Sequence, residues 1–313
     1  MECQRPIRVE LSEKAQLRRQ ARIDAPFEYR FARYVNVPCG KCFSCLQRKR
    51  SEWMFRLYKE LETSSSAYFV TLTYDDLHVP TKNGRQCVSK KDIQKFFKRL
   101  RFNIRPFQIR YFLVSEYGPK TLRPHYHMIL FNFPNELKNK LDDYLLDSWQ
   151  NGFITIAPVT SGRISYVCSY CLDKSKPQKD LEKNFMLCSK RPFIGSSYLD
   201  NASIRGYHDN TLDNFGHVCT NGKVYTFPLS RTIKDKLFSD DQNFEISQRN
   251  NIYYDKRQRE LKKKQKIWLM EHGYNVNRFT MESGFYGSPL FNELTKYHDF
   301  NIKCLKKCKN KKI

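Results

Sequence analysis

The feature that most limits the fold is the order in which apolar runs change period between residues 67 and 176. Residues 67–74 (AYFVTLTY) are rich in aromatic and β-branched side chains and are closed by Asp75-Asp76. That composition predicts a buried strand with Thr71 and Thr73 on one face. Ser89, with Asp92 three positions on, opens a helix in which Ile93, Phe96, Phe97 and Leu100 recur at i, i+3, i+4 and i+7 while Lys and Arg fill the other face. A second strand over 110–116 stops at Gly118-Pro119, and a third, about 124–132, follows at once. Pro134-Asn135 starts a helix with Leu137, Leu141, Tyr144, Leu145 and Trp149 on one stripe, for which Asn151-Gly152 is the expected C-cap. Residues 153–159 form the fourth strand, and a last helix is predicted from Gly162 to about Lys174. The order β-α-β-β-α-β-α predicts an α+β domain with the antiparallel sheet of the ferredoxin-like, split β-α-β arrangement and one appended helix.

The flanks differ in kind. Residues 1–66 read as a basic region: a partly ordered arm to about residue 35, a cysteine run, and a basic helix carrying Leu46, Trp53, Leu57 and Leu61 that ends near residues 63–66. Residues 177–313 read as a second basic region without an assignable role, helix-prone around 257–270 and ending in a lysine-rich tail. The expected division is therefore 1–66, 67–176 and 177–313. Lys and Arg (56) exceed Asp and Glu (32), leaving a formal charge of +24 that calls for a polyanionic partner. No apolar run is long enough to span a bilayer and the N-terminus is polar, so neither a membrane nor an export route is expected. Nucleic acid is the favoured partner, and aromatics at 14% suit stacking on unpaired bases.

Eleven cysteines, an odd number in a large chain, argue for a reducing interior over a disulfide framework. Cys39, Cys42 and Cys45 form a C-x2-C-x2-C run that could supply three thiolates to a structural Zn²⁺ or to an iron–sulfur cluster. Cys3, Cys188, Cys219 and His217 are candidates for the fourth ligand, and free thiols at the mouth of a helix are the alternative.

The chemistry gathers on two stretches. In residues 123–131 (RPHYHMILF), His125 and His127 alternate with apolar residues, so both rings leave the same face of a strand and can converge on one metal ion; a merely polar strand face is the rival reading. Glu116, at the end of the preceding strand, is the expected third ligand, and two imidazoles with a carboxylate suit Mg²⁺ or Mn²⁺. Asp75 and Asp76 are possible substitutes, although residues there more often form turns. In the last helix Ile164, Val167, Cys168, Cys171 and Leu172 mark the buried stripe, and Tyr166, Tyr170 and Lys174 recur every four residues off that face. A phenol, with a pKa of about 10, becomes a nucleophile near neutrality only beside positive charge, which Lys174 and a metal ion could supply.

The blocks YFVTLTY (68–74), RPHYHMILF (123–131) and YVCSYCLDK (166–174) resemble motifs I, II and III of the HUH rolling-circle replication initiators, in their two-tyrosine branch. With VPCGKCFSC (37–45), the stretch 37–176 resembles the initiators of the Microviridae, the gokushovirus-like phages with single-stranded DNA. The resemblance implies an HUH endonuclease core with His125 and His127 as metal ligands, Tyr166 and Tyr170 as nucleophiles and Lys174 as the associated lysine. It implies site-specific nicking of a viral origin on the double-stranded replicative form, which leaves a 5′-phosphotyrosine link and a free 3′-OH for the host polymerase. A second cleavage then ligates the displaced single strand into a circle, all in the host bacterial cytoplasm. The sequence holds no G-x-x-x-x-G-K-[ST] stretch, so unwinding would fall to a host helicase. A plasmid initiator, relaxase or HUH transposase would share the chemistry; a non-catalytic nucleic-acid-binding protein with a zinc knuckle is the rival of another class.

Overall fold

The computed structural model describes residues 3, 7–23, 27–118, 121–170, 182–220, 222–277, 287–290 and 292. The chain divides into two compact units, residues 1–49 with 249–313, and residues 50–248. These boundaries differ from the expected 66/67 and 176/177, because packing on the sheet, and not composition, sets them.

In the first unit β1 (Ile7–Glu10) leads through α1 (Glu13–Gln20) and α2 (Phe27–Arg30) to β2 (Tyr34–Val37), which pairs antiparallel with β1, Ile7 opposite Val37. The stretch read as an arm thus holds a ladder, built on alternations too short to register as periodicity. Helix α3 (Phe43–Thr63) begins in this unit and continues into the second.

The second unit runs β3 (Ala67–Tyr74), a small hairpin of β4 (Thr81–Lys82) and β5 (Arg85–Gln86), α4 (Lys90–Asn103), β6 (Arg110–Tyr117), β7 (Pro124–Phe131), α5 (Leu141–Trp149), β8 (Gly152–Pro158) and α6 (Ser161–Ser169). The strands form one antiparallel sheet in the order β8-β3-β7-β6-β9, where β9 is Met186–Cys188. Without β9 the order is that of the ferredoxin-like split β-α-β motif, so the α+β reading stands. β9 is an edge strand that sequence reasoning missed: three residues carry too little alternation to separate them from loop. Farther on come α7 (Ala202–Thr211), the hairpin β10 (Phe215–Thr220) and β11 (Lys223–Pro228), α8 (Arg231–Leu237) and the long α9 (Asp240–Glu271), within which the helix-prone stretch 257–270 falls.

Strand parity builds a core on each face of the sheet. On one face Val70, Leu72, Tyr74, Leu113, Tyr126, Met128 and Leu130 pack against Ile93, Phe96, Phe97 and Leu100 of α4 and Leu141, Leu145 and Trp149 of α5. On the other, Phe69, Phe112, Val114, Ile129 and Phe131 pack against Trp53 and Leu57 of α3 and Ile164, Val167 and Cys168 of α6. Helix α4 starts as predicted, the Asp92 amide donating to Ser89 Oγ at 3.2 Å. Helix α5 ends differently: the left-handed residue is Gln150 (φ 58°), and Gly152 opens β8 with φ 139°. A Cβ on Gly152 would lie 2.3 Å from the Asp75 amide nitrogen, so the glycine serves the close approach of β8 to the end of β3 and does not cap the helix.

Candidate active site

Register puts the predicted groups on one face. On β3, Thr71 lies opposite His127 and Thr73 opposite His125; on β6, Val114 lies opposite His127 and Glu116 opposite His125. All sit on the face that carries α3 and α6, which is apolar at the Phe69 and Phe131 end and polar at the Thr73, His125 and Glu116 end. Tyr126, between the histidines, points the other way into the core, where its hydroxyl accepts the Ser89 amide at 2.7 Å and lies 3.0 Å from that of Tyr74. Burial pushes the Tyr126 phenol up to about 12.

Each histidine is oriented through Nδ1: Thr71 Oγ1 lies 3.0 Å from that atom of His127, and Thr73 Oγ1 lies 3.1 Å from that of His125. The imidazole of His127 is further stacked on Phe69, ring centroids 5.8 Å apart. Its Nε2 is 2.9 Å from Glu116 Oε2. The phenols of Tyr166 and Tyr170 both donate to that same carboxylate oxygen, Tyr166 at 3.2 Å. Tyr170 also donates to the Tyr166 hydroxyl at 2.5 Å, and Tyr166 Oη is 3.4 Å from His127 Nε2.

The tyrosines therefore do not leave the packing side of the helix, as the wheel predicted; they reach the sheet. At about 100° per residue Tyr170 lies only about 60° round from Val167, and a phenol on the flank is long enough to fold back over the strands. Both rings are half-buried, and the Tyr170 ring lies nearly parallel to that of His127 at 6.0 Å. Helix α6 is held by its N-cap, the Arg163 amide donating to Thr160 Oγ1 at 3.2 Å, and it ends at Ser169 with Tyr170 as cap. Lys174 and Cys171 lie outside the described residues.

The electrostatics follow from this packing. Burial opposes ionisation of Glu116, yet hydrogen bonds from His127 and then Tyr170 outweigh it and hold the carboxyl below its ordinary range. His125 is lowered by burial and by its proximity to His127, which keeps it neutral and able to ligate. The Tyr170 phenol is raised, first by burial and then by the Glu116 charge. Two phenols on a carboxylate are poor nucleophiles as they stand, and a bound cation would invert that local charge.

Asp75 and Asp76 serve the turn after β3. The Asp75 carboxylate accepts the amides of Leu77 and His78 and contacts the His78 ring at 2.8 Å, while Asp76 pairs with Arg123 at 2.7 Å. The donor chemistry of His125, His127 and Glu116 fits Mg²⁺ or Mn²⁺, two imidazoles held through Nδ1 and one ionised carboxylate. Their ligand atoms are not closed onto one point: among the described residues, the group of three or more donors with all ligand atoms within 4.8 Å is Cys3, Cys39, Cys42 and Cys45. The cysteine run singled out in the sequence is thus able to hold a metal, and of its four candidate partners the fold supplies Cys3. Threonines 71 and 73 and Phe69 are the site residues that sequence reasoning left without a role; their shared parity with the histidines was the available signal.

Residues 67–175 match the family model of the ORF2-type replication-associated proteins. The chain is 30% identical over 214 residues to replication-associated protein VP4 of Bdellovibrio phage phiMH2K, covering 61% of this chain and 64% of that protein. It is 33% identical over 196 residues to replication-associated protein ORF2 of Spiroplasma virus 4, covering 56% and 61%. Similarity to replication-associated protein ORF4 of Chlamydia phage 1 is 27% over 237 residues, covering 69% and 58%. The chain thus spans somewhat under two thirds of the length of these relatives. No solved structure matches it. No helix among the described residues is long and apolar enough to cross a membrane.

Proposed function

We propose, from the premise that residues 67–175 are a replication-associated domain of the ORF2 type, that this chain initiates replication of a viral single-stranded DNA genome by nicking and rejoining DNA through tyrosine. The observation that carries the reading is the meeting of two phenols, four residues apart, on the carboxylate of Glu116 beside His127. One nucleophile suffices to nick. Two adjacent ones suit a reaction that cuts twice and exchanges strands.

In the first step a phenolic oxygen of Tyr166 or Tyr170 attacks the origin phosphorus and the bond to the 3′ oxygen breaks. The products are a free 3′-OH and a 5′-phosphotyrosine. The phenolic proton departs toward Glu116 Oε2, which already accepts a hydrogen bond from each phenol. The second tyrosine cuts the displaced strand after one round, and the 3′-OH so released attacks the first phosphotyrosine, closing the circle with no external energy source. Mg²⁺ or Mn²⁺ held by His125, His127 and Glu116 would supply Lewis-acid stabilisation of the phosphate oxygens and positive charge beside the phenols. Thr71 and Thr73, taking the Nδ1 protons, leave each Nε2 with its lone pair. Lys174 adds a cation on the same segment, and the surplus of 24 positive charges draws the DNA backbone in. The 3′-OH is extended by host polymerase behind a host helicase, in the bacterial cytoplasm.

The test uses the full chain with single-stranded fragments tiling the genome that encodes it. With Mn²⁺ a denaturant-stable protein–DNA adduct is expected; EDTA removes it and added Mn²⁺ restores it. Sequencing the DNA and the peptide at the junction identifies the scissile phosphate and the nucleophile together. DNA binding indifferent to chelation, without adduct, would establish the non-catalytic reading instead. Thr71→Val keeps the side chain's shape and removes the hydroxyl, and is expected to raise the Mn²⁺ concentration for half-maximal adduct about 10–100-fold. An unchanged Mn²⁺ midpoint would remove Thr71 from the site.

A further inference from the structure

Four cysteines meet around the start of α3, independently of the nicking chemistry. Cys39 and Cys42 precede the helix, Cys45 lies in its first turn, and Cys3 arrives from 36 residues before Cys39. The ligand sulfurs all lie within 4.8 Å of one another, and Cys3 Sγ is 3.8 Å from Cys42 Sγ. A tetrahedral zinc with Zn–S bonds of about 2.3 Å requires sulfur–sulfur edges of about 3.8 Å. A [4Fe–4S] cube gives each thiolate its own iron and so spreads the sulfurs farther apart than sharing one ion does.

The backbone is shaped to hold thiolates. Gly40 takes φ +66°, and the turn it makes directs the amides of Lys41 (3.4 Å) and Cys42 (3.2 Å) at Cys39 Sγ. The Cys39 amide in turn donates to Cys3 Sγ at 3.2 Å. Such N–H···S bonds offset the negative charge that four thiolates bring to one ion. All four side chains are part-buried and none is in a disulfide.

From this geometry we infer that Cys3, Cys39, Cys42 and Cys45 form a closed, mononuclear zinc site that ties the N-terminal segment carrying β1 to the start of α3. Closed tetrahedral coordination by four cysteines leaves no position for substrate, so the ion is structural. It closes a long loop in a unit whose strands are only four residues each, where a cross-link adds most to order.

Full-length protein purified under reducing conditions should contain one zinc per chain by mass spectrometry, released on titrating the thiols with a mercurial. Cobalt substituted for it should show the intense visible bands of tetrahedral thiolate coordination. Cys3→Ser is expected to weaken zinc binding by at least about 100-fold. Cys3→His, which preserves a tetrahedral ligand set, should retain the ion with an altered cobalt spectrum, and Cys219→Ser, at an exposed cysteine outside the cluster, should retain it unchanged. Protein with less than one tenth of a zinc and four freely titrating thiols, protein carrying iron in its place, or zinc held undiminished by Cys3→Ser would each overturn the assignment.

Discussion

Replacing Tyr166 and Tyr170 together by phenylalanine is expected to cut covalent adduct formation by at least about a thousandfold, the scale on which removing a nucleophile acts. The rings remain, so the packing of Tyr170 over His127 and the Tyr166–Tyr170 contact at 5.2 Å are kept. What is lost is confined to two hydroxyls and their hydrogen bonds to Glu116. Thermal stability should stay close to that of the parent while the adduct disappears. Each single variant keeps one phenol on the same carboxylate, so it should still nick; strand circularisation, which needs both, should fail. Undiminished adduct in the double variant would sink the assignment of the nucleophiles, whatever the status of the metal.

The second large effect is on stability. Glu60 of α3 is 4% exposed and pairs with Arg110 at the start of β6. The Gly195 amide donates to the same carboxylate at 2.7 Å, and Arg110 also donates to the carbonyls of Pro192 and Phe193, both at 3.0 Å. One carboxylate thus fastens helix, sheet and the loop after β9. Glu60→Ala leaves a largely buried guanidinium and a buried amide without their partner, a loss of about 3–5 kcal/mol. In a unit of this size that corresponds to a fall in melting temperature of roughly 6–20 °C. Glu60→Gln, which keeps an acceptor for Gly195, should lose less. A shift under about 2 °C for the alanine variant, by calorimetry, would show that the network carries no net stability.

Much of the domain was legible in advance. The strand boundaries at 67–74 and 110–117 and the α4 stripe of Ile93, Phe96, Phe97 and Leu100 rest on local patterns of period two and 3.6, which survive in any context that buries one face. Where the reading erred, the deciding contacts were distant in sequence. β9 exists because β6 offers it an edge, and Gly152 is glycine because β8 passes close to Asp75. The tyrosine pair was placed outside the packing face because a helical wheel records the direction of Cβ and not how far a phenol reaches.

By itself the sequence determined the order of elements, the ferredoxin-like sheet they compose, the shared face of His125 and His127 and the basic charge of the chain, because each depends on spacing along a single element or on composition. Only the tertiary structure decided that Glu116 gathers both phenols with His127, that Thr71 and Thr73 orient the histidines, and that Cys3 completes the cysteine set. Those groups come from strands and helices separated by between 11 and 56 residues at the first site and by 36 at the second. Antiparallel register and the seating of α6 on the sheet bring them within hydrogen-bond reach, and register is a property of paired strands that no single segment carries.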